Sequence, residues 1–306
     1  MIYFSDDGGK TMAVVMRSDA MAAANRMRLR VKHFALGTFP EADGSVSAMP
    51  VNRFFIPLGN PSGTACFIED GEKRLALKPG CACFIPLYRP ASVRLDEKLE
   101  FLSVHFNMEL YDGADLFSRF GAICEAEGNW AEEVMTAYRE PDPCRAAVLV
   151  RCAAERFAGE MMARMPREAF AFAEGFDRFE PELAYIRKHC SASLTVEEVA
   201  SVRGIRREVF SRNFSQATGM TPKQYIGRVL LNRASDLLIN QDCLAREAAF
   251  RLGFSNEFYF SRFFRKHTGL PPKQYQRLYR AKPSGTVTRG CQIPAPPYSG
   301  KRQGAE

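Results

Sequence analysis

The chain has 306 residues, 46% of them hydrophobic and 25% charged, with a formal net charge of +7. At roughly 100–200 residues per domain that length predicts two domains, and the composition excludes a wholly disordered chain, a collagen and a small disulfide-stapled scaffold. No apolar run approaches the ~18 residues that span a bilayer. The opening MIYFSDDGGK places acids where a signal peptide needs bases, so a cytoplasmic chain with reduced cysteines is expected. Charge divides sharply along the chain. Residues 178–282 carry 19 Lys+Arg against 9 Asp+Glu, residues 1–177 carry 20 against 25, and residues 283–306 carry 3 against 1. One compact third is strongly basic, as expected of a domain that meets a polyanion.

Taken in chain order, short strands come first, over 32–38, 53–58, 64–69, 73–77, 81–86, 91–94 and 99–106. Turn signals such as Asn60-Pro61-Ser62-Gly63 and Lys78-Pro79-Gly80 separate them. This spacing predicts a barrel or a double-sheet jelly roll. Metal catalysis needs several converging ligands, and of the four His only His33 and His105 lie in this region; no metal and no cofactor are expected. Cys81 and Cys83 share one strand face, either as two small core residues or as a thiolate pair. Tyr88 and Arg89, just past a strand end, are the candidate contacts of an organic ligand, an anion included. No Gly-x-Ser-x-Gly nucleophile motif and no Gly-rich phosphate loop before a helix is present.

From 114 to 176 the spacing turns helical. Leu149, Ala153, Phe157 and Met161 recur every four residues, with Cys152 beside them, which predicts a helix over 143–165 that buries one face on the barrel or on a second chain. A short linker is expected over 172–177.

The basic third contains an internal repeat. FSRNFSQATGMTPKQY, from 210 to 225, matches FSRFFRKHTGLPPKQY, from 260 to 275, at ten of sixteen positions. Upstream, Glu198, Ala200 and Gly204 match Glu247, Ala249 and Gly253. Each copy reads as a short helix, a glycine suited to the left-handed C′ position, and a second helix. This is the helix-turn-helix layout, in which the second helix enters a DNA major groove. Pro222 opens a helix that runs to about Asn240 and joins the two units. At ~1.5 Å per residue it spans roughly 28 Å, close to the ~34 Å between successive major-groove faces.

On the first recognition helix, over 206–217, Phe210 and Phe214 face inward with Val209 in part, and Arg207, Glu208, Ser211, Arg212 and Ser215 face outward. The second, with Ser255 as its expected N-cap, turns Phe260, Phe263 and Phe264 inward and shows Asn256, Glu257, Ser261, Arg262 and Arg265. Arg suits a guanine edge, Asn an adenine edge, and Glu a cytosine amine. Lys223, Lys266 and Lys273 are candidate phosphate contacts. Phe258 could touch a thymine methyl or simply pack.

With Ala234, Leu237-Leu238, Gly253-Phe254, Phe260-Ser261-Arg262-Phe263-Phe264, Gly269 and Pro272 in place, residues 178–282 resemble the AraC/XylS DNA-binding domain. The resemblance implies seven helices with two helix-turn-helix units, and a DNA-side position for Arg212 and Arg262. Departures from the family pattern are Arg206 where a Ser N-cap is usual, Leu230 where Arg is common, and the small Ala245 and Ala248. The run GEKRLALKPGCACFIPLYRPASVRL is similar to the cupin-type sensor domain attached to many such regulators.

The expected architecture is α+β in two domains. Residues 1–177 form a cupin-like sensor or dimerisation barrel (about 32–106) with following helices, residues 178–282 an all-α DNA-binding domain, and residues 283–306 a disordered tail. The expected function is sequence-specific transcription regulation, activating or repressing. Expected partners are double-stranded DNA, a small-molecule effector, a second copy of the chain and RNA polymerase, with no membrane. The competing readings are a cupin-type enzyme with a DNA-binding appendage, and a ligand-independent DNA binder.

Overall fold

In the computed structural model, which describes residues 24–38, 42–46, 49–60, 62–96, 98–165 and 175–279, two antiparallel sheets precede a helical region. The strands are β1 (Arg28–Thr38), β2 (Ala42–Val46), β3 (Asn52–Gly59), β4 (Phe67–Glu69), β5 (Arg74–Ala76), β6 (Ala82–Ile85), β7 (Ala91–Leu95), β8 (Glu100–Tyr111), β9 (Ala114–Asp115) and β10 (Cys124–Ala126). One sheet runs β1-β8-β3-β6-β10, with β9 added on β8; the other runs β2-β7-β4-β5. Helices α1 (Trp130–Arg139) and α2 (Pro143–Ala163) follow.

Alternation along β8 explains how the layers stack. Leu102, Val104 and Phe106 belong to one apolar cluster with α1 and α2. Phe157 of α2 sits at its centre, stacked 3.6 Å from Phe54, with Trp130 at 5.2 Å and Phe84 at 5.7 Å between ring centroids. On the opposite face Phe101 stacks on Phe55 at 4.9 Å, within a second cluster that includes Ile68, Leu75, Cys83, Ile85 and Val93.

Two expectations need correction. The strand region extends past 106: β8 continues to Tyr111, and β9 and β10 occupy part of 114–126, where helical spacing was expected. In α2, Leu149 is 37% exposed and Cys152 is exposed, while Val150, Ala153, Ala154, Phe157, Ala158 and Met161 are buried. A strict spacing of four advances about 40° per step at 3.6 residues per turn, so Leu149 has rotated off the face that Phe157 anchors. The linker expected over 172–177 lies partly, and the tail over 283–306 wholly, outside the described residues.

Seven further helices are described: α3 (Glu180–His189), α4 (Val196–Ser201), α5 (Arg207–Thr218), α6 (Pro222–Ile239), α7 (Ala245–Arg251), α8 (Glu257–Thr268) and α9 (Pro272–Tyr279). They dock on the face of β8 that carries Phe101, further along the strand. The Tyr279 hydroxyl lies 3.1 Å from His105 Nδ1, Asn232 Nδ2 of α6 donates to Glu109 Oε1 at 2.6 Å, and the Tyr111 hydroxyl donates to Asp177. Gly113 permits the close approach of α6: its φ is +83°, and a Cβ there would stand 3.1 Å from the backbone nitrogen of Val229.

Because Phe157 fills the centre of the aromatic cluster, Phe157→Ala is expected to cost about 3–5 kcal/mol in denaturant unfolding; a loss under 1 kcal/mol would contradict its central role. Burial holds His33 down at about 4 and His105 well below its ordinary value. Both are neutral when folded, whereas the unfolded chain takes up protons from about pH 6.5 downward. Their contribution to stability is present above pH 6.5 and declines as pH falls toward 4. Unfolding midpoints measured between pH 7 and 5 should decline less in His33→Gln than in the natural chain; parallel profiles would show that His33 carries no such linkage.

Candidate nucleic-acid interface

The two repeat copies fold with matching local devices. Gly204 and Gly253 end α4 and α7 with φ of +67° and +74°, and Gly219 and Gly269 cap α5 and α8 with φ of +72° and +77°. Left-handed backbone of this kind is where glycine carries no steric cost. Thr218 and Thr268 donate back to the carbonyls of Phe214 and Phe264, at 2.7 and 2.9 Å, and accept from Met220 N and Leu270 N. Thr195 and Glu198 form a reciprocal capping box on α4; in the second copy Glu247 accepts from Leu244 N. Arg206 precedes α5 and provides no side-chain cap. The N-cap of α8 is Asn256 rather than Ser255: the helix begins one residue later, and Asn256 Oδ1 accepts from Tyr259 N at 3.0 Å. Part of Asn256 is thereby committed to the helix instead of to a base.

Phe210, Phe214, Phe260 and Phe264 are buried as expected, while Phe263 is half-buried against Phe254 and Val209 is exposed. Arg207, Glu208, Arg212, Asn256, Glu257, Arg262 and Arg265 are exposed, with Ser211, Ser215 and Ser261 half-exposed between them. Lys223, Lys266 and Lys273 are exposed. Phe258 does not pack into the core: it is 65% exposed, and the guanidinium of Arg262 lies 5.7 Å from its ring centroid. In the repeat it stands where Glu208 stands in α5.

Cations on this surface differ from those behind it. Among the described residues, Arg212, Arg262, Arg265, Lys223, Lys266 and Lys273 form no ion pair. Arg207 pairs with Glu197 at 2.7 Å, but both are more than half exposed, so the pair is worth little and releases easily. Behind the surface, Arg203 is bound to the buried Glu182, Arg233 donates to the carbonyls of Cys190 and Arg187, and Arg228 lies over the ring of Tyr88. Helix α6 holds the two units together with one side in the core: Tyr225, Val229, Leu230, Ala234 and Leu238 are buried. Leu230, one of the departures from the family pattern, is therefore a packing residue.

In the sheet region, Arg89 forms ion pairs of 3.0 Å with both Asp70 and Glu72, the Asp70 carboxylate being fully buried. Tyr88 adopts φ of +59° and is half-buried, with the Arg228 guanidinium over its ring. The Arg89 guanidinium is already engaged by its two carboxylates. Burial pushes the Cys83 thiol up to about 12, and a hydrogen bond to Glu125 raises Cys81, so neither thiol is poised as a thiolate. The sequence reading missed a buried arginine, Arg53, whose signal was a lone cation at the start of the apolar run NRFFIPLG.

Comparisons with known proteins bear on both regions. A family model described as a helix-turn-helix domain matches residues 199–278. The chain is 33% identical over 101 residues to the uncharacterized HTH-type transcriptional regulator YobQ of Bacillus subtilis, covering 33% of this chain and 42% of that one. It is 32% identical over 100 residues to the HTH-type transcriptional activator RhaS of Klebsiella pneumoniae, covering 33% and 36%. The matched segment thus spans less than half the length of either relative. The structure of ToxT from Vibrio cholerae, solved with an unsaturated fatty acid bound, is similar in fold with a TM-score of 0.51 at 9% identity, covering 81% of this chain and 94% of that one. Residues 199–278, with their paired helix-turn-helix units, thus form an AraC-type helix-turn-helix domain at the C-terminal end of the described residues.

Proposed function

We propose that the chain is a transcription regulator that reads double-stranded DNA with α5 and α8, and that its two-sheet region senses a small organic effector. The observation that carries this reading is the separation of cations: among the described residues Arg212 on α5 and Arg262, Arg265 and Lys266 on α8 form no ion pair and Arg207 has only an exposed one, while Arg203 and Arg233 behind them are held by Glu182 and by backbone carbonyls. A surface held for a polyanion has this character, because phosphate contacts supply affinity and a few base-edge contacts supply specificity. The fatty acid bound to the ToxT fold supports a sensing role for the sheet region. Catalysis is no part of the proposal. Dimerisation, contact with RNA polymerase and a cytoplasmic location complete it; among the described residues no helix is long and apolar enough to cross a membrane.

Equilibrium binding to a DNA fragment selected from random sequence tests the reading. Affinity should fall steeply with salt as neutralised phosphates release counterions; a salt-independent affinity would contradict it. Arg262→Ala should cost about 1–3 kcal/mol on the selected site and relax preference at a few bases, whereas Lys273→Ala should weaken all sequences alike. An equal, sequence-blind loss for both would make Arg262 a phosphate contact. Phe258 offers only an apolar edge, so replacing individual thymines of the site by deoxyuracil should reveal one whose missing methyl weakens the natural chain but not Phe258→Ala. If no such position emerges, Phe258 reads no methyl group.

A further inference from the structure

The two reading helices are alike in build and differ in what they show. With about 100° between successive helical residues, Phe258, Arg262, Arg265 and Lys266 share one face of α8, opposite the buried Phe260, Phe264 and Thr268. All four are exposed. At the matching positions of α5 stand Glu208, Arg212, Ser215 and Gln216. The central arginine is common to both helices. Its neighbour one turn earlier is a carboxylate in α5 and an apolar ring in α8.

Phe258 is 65% exposed and Tyr259 beside it 54% exposed, with 6.0 Å between their ring centroids. The Arg262 guanidinium lies 5.7 Å from the Phe258 centroid, inside the ~6 Å over which a ring attracts a cation. Among the described residues Arg262 has no carboxylate partner, so an aromatic ring is what stands beside its fork. A hydrocarbon ring contributes nothing to phosphate binding. The apolar group that a major groove offers it is the C5 methyl of a pyrimidine.

One helical turn between the two side chains is a rise of ~6 Å, and successive base pairs are ~3.4 Å apart. Side chains that touch each other therefore meet the same or adjoining base pairs. Arginine forks onto O6 and N7 of guanine. The pyrimidine on the 5′ side of that guanine turns its C5 toward the same N7 edge, where a methyl meets guanidinium and ring together. Thymine has that methyl, 5-methylcytosine has it on the same atom, and cytosine lacks it. Phe258 has no side-chain donor or acceptor, so it does not distinguish the O4 of thymine from the amine of 5-methylcytosine. A carboxylate such as Glu208 does: it accepts from the amine and is repelled by O4.

We propose that Phe258 and Arg262 read, as one unit, a 5-methylpyrimidine followed by guanine, so that α8 accepts 5-methylcytosine-guanine in place of thymine-guanine and DNA binding by this chain responds to cytosine methylation. This rests on the placement of α8 in the major groove proposed above and names the base step it reads. The first reading helix has no such response. Glu208 takes the cytosine amine, which methylation at C5 leaves in place.

The test uses the full chain and the duplex selected from random sequence, at fixed salt. Arg262→Ala first identifies the guanine, as the base whose preference it relaxes. The position on its 5′ side is then filled in turn by thymine, deoxyuracil, 5-methylcytosine and cytosine. Thymine differs from deoxyuracil, and 5-methylcytosine from cytosine, by the methyl alone, so the two pairs measure one contact independently. In each pair the methyl should tighten binding by about fourfold, the worth of one buried methyl group. Phe258→Ala should bring both ratios to one and keep the guanine preference; its side chain is exposed, so removing it opens no cavity. Phe258→Glu, which copies α5, should prefer cytosine to thymine there, methylated or not. A methyl effect in one pair and not the other, the same loss on all four duplexes in Phe258→Ala, or a selected guanine with no pyrimidine before it would overturn the proposal. Salt-dependent, sequence-specific binding without a methyl effect would defeat the proposal alone. Absence of sequence-specific binding would defeat the regulator reading, and the proposal with it.

Discussion

Helix α6, eighteen residues from Pro222 to Ile239, is the member to which both helix-turn-helix units and the sheet region are fastened. Its length sets the separation of the reading helices, since a continuous helix rises ~1.5 Å per residue and does not stretch. Its start is secured by Pro222 at the first turn and by the reciprocal capping of Thr221 and Gln224. Its buried side joins the core of both units, and Asn232 on another side reaches the buried Glu109 of β8. A change in how β8 meets α6 therefore acts on the element that spaces the reading helices, and not on a peripheral loop.

Strand β8 is the matching member on the other side. Its alternation gives one face to the aromatic cluster around Phe157 and the other, in succession, to the second sheet and the C-terminal helices. The succession goes from apolar to polar: Phe101 at the sheet, then His105, Glu109 and Tyr111 at the helices. An apolar contact tolerates small shifts, whereas a buried hydrogen bond has a defined geometry and a large penalty when one partner is withdrawn. The contact between the two regions is thus built from the interactions that most strongly define a single arrangement. Arg119 adds a link of the same kind, donating to the Thr218 carbonyl at 3.1 Å at the end of α5.

The helical half was legible because its signals are local. Glycine at a left-handed position and phenylalanines four apart each act over a few residues, and the repeat displayed both of them twice. The errors there were equally local: Asn256, not Ser255, caps α8, since both residues can cap and only the helix start selects between them. In the sheet region the signals were weaker. Strands shorter than six residues leave few periods to count, and β9 and β10 exist by pairing with β8 and β6, partners distant or irregular in sequence. In α2 the apolar pattern was visible, but which of two adjacent stripes faced inward depended on where Phe54 and Trp130 stood.

By itself the sequence determined the two reading helices, the glycine turns between helices, the joining helix and the basic surface, because each follows from residue type and spacing along one stretch of chain. Tertiary structure alone decided which charges were already spent. Arg89 looked available in the sequence and is held by Asp70 and Glu72, from a turn nineteen and seventeen residues away. Arg53 looked like one cation among many and is buried among His33, His105 and Tyr279, drawn from three other elements. Whether a charge is free depends on the dielectric around it and the groups within a few ångströms, and only the packed chain brings those together.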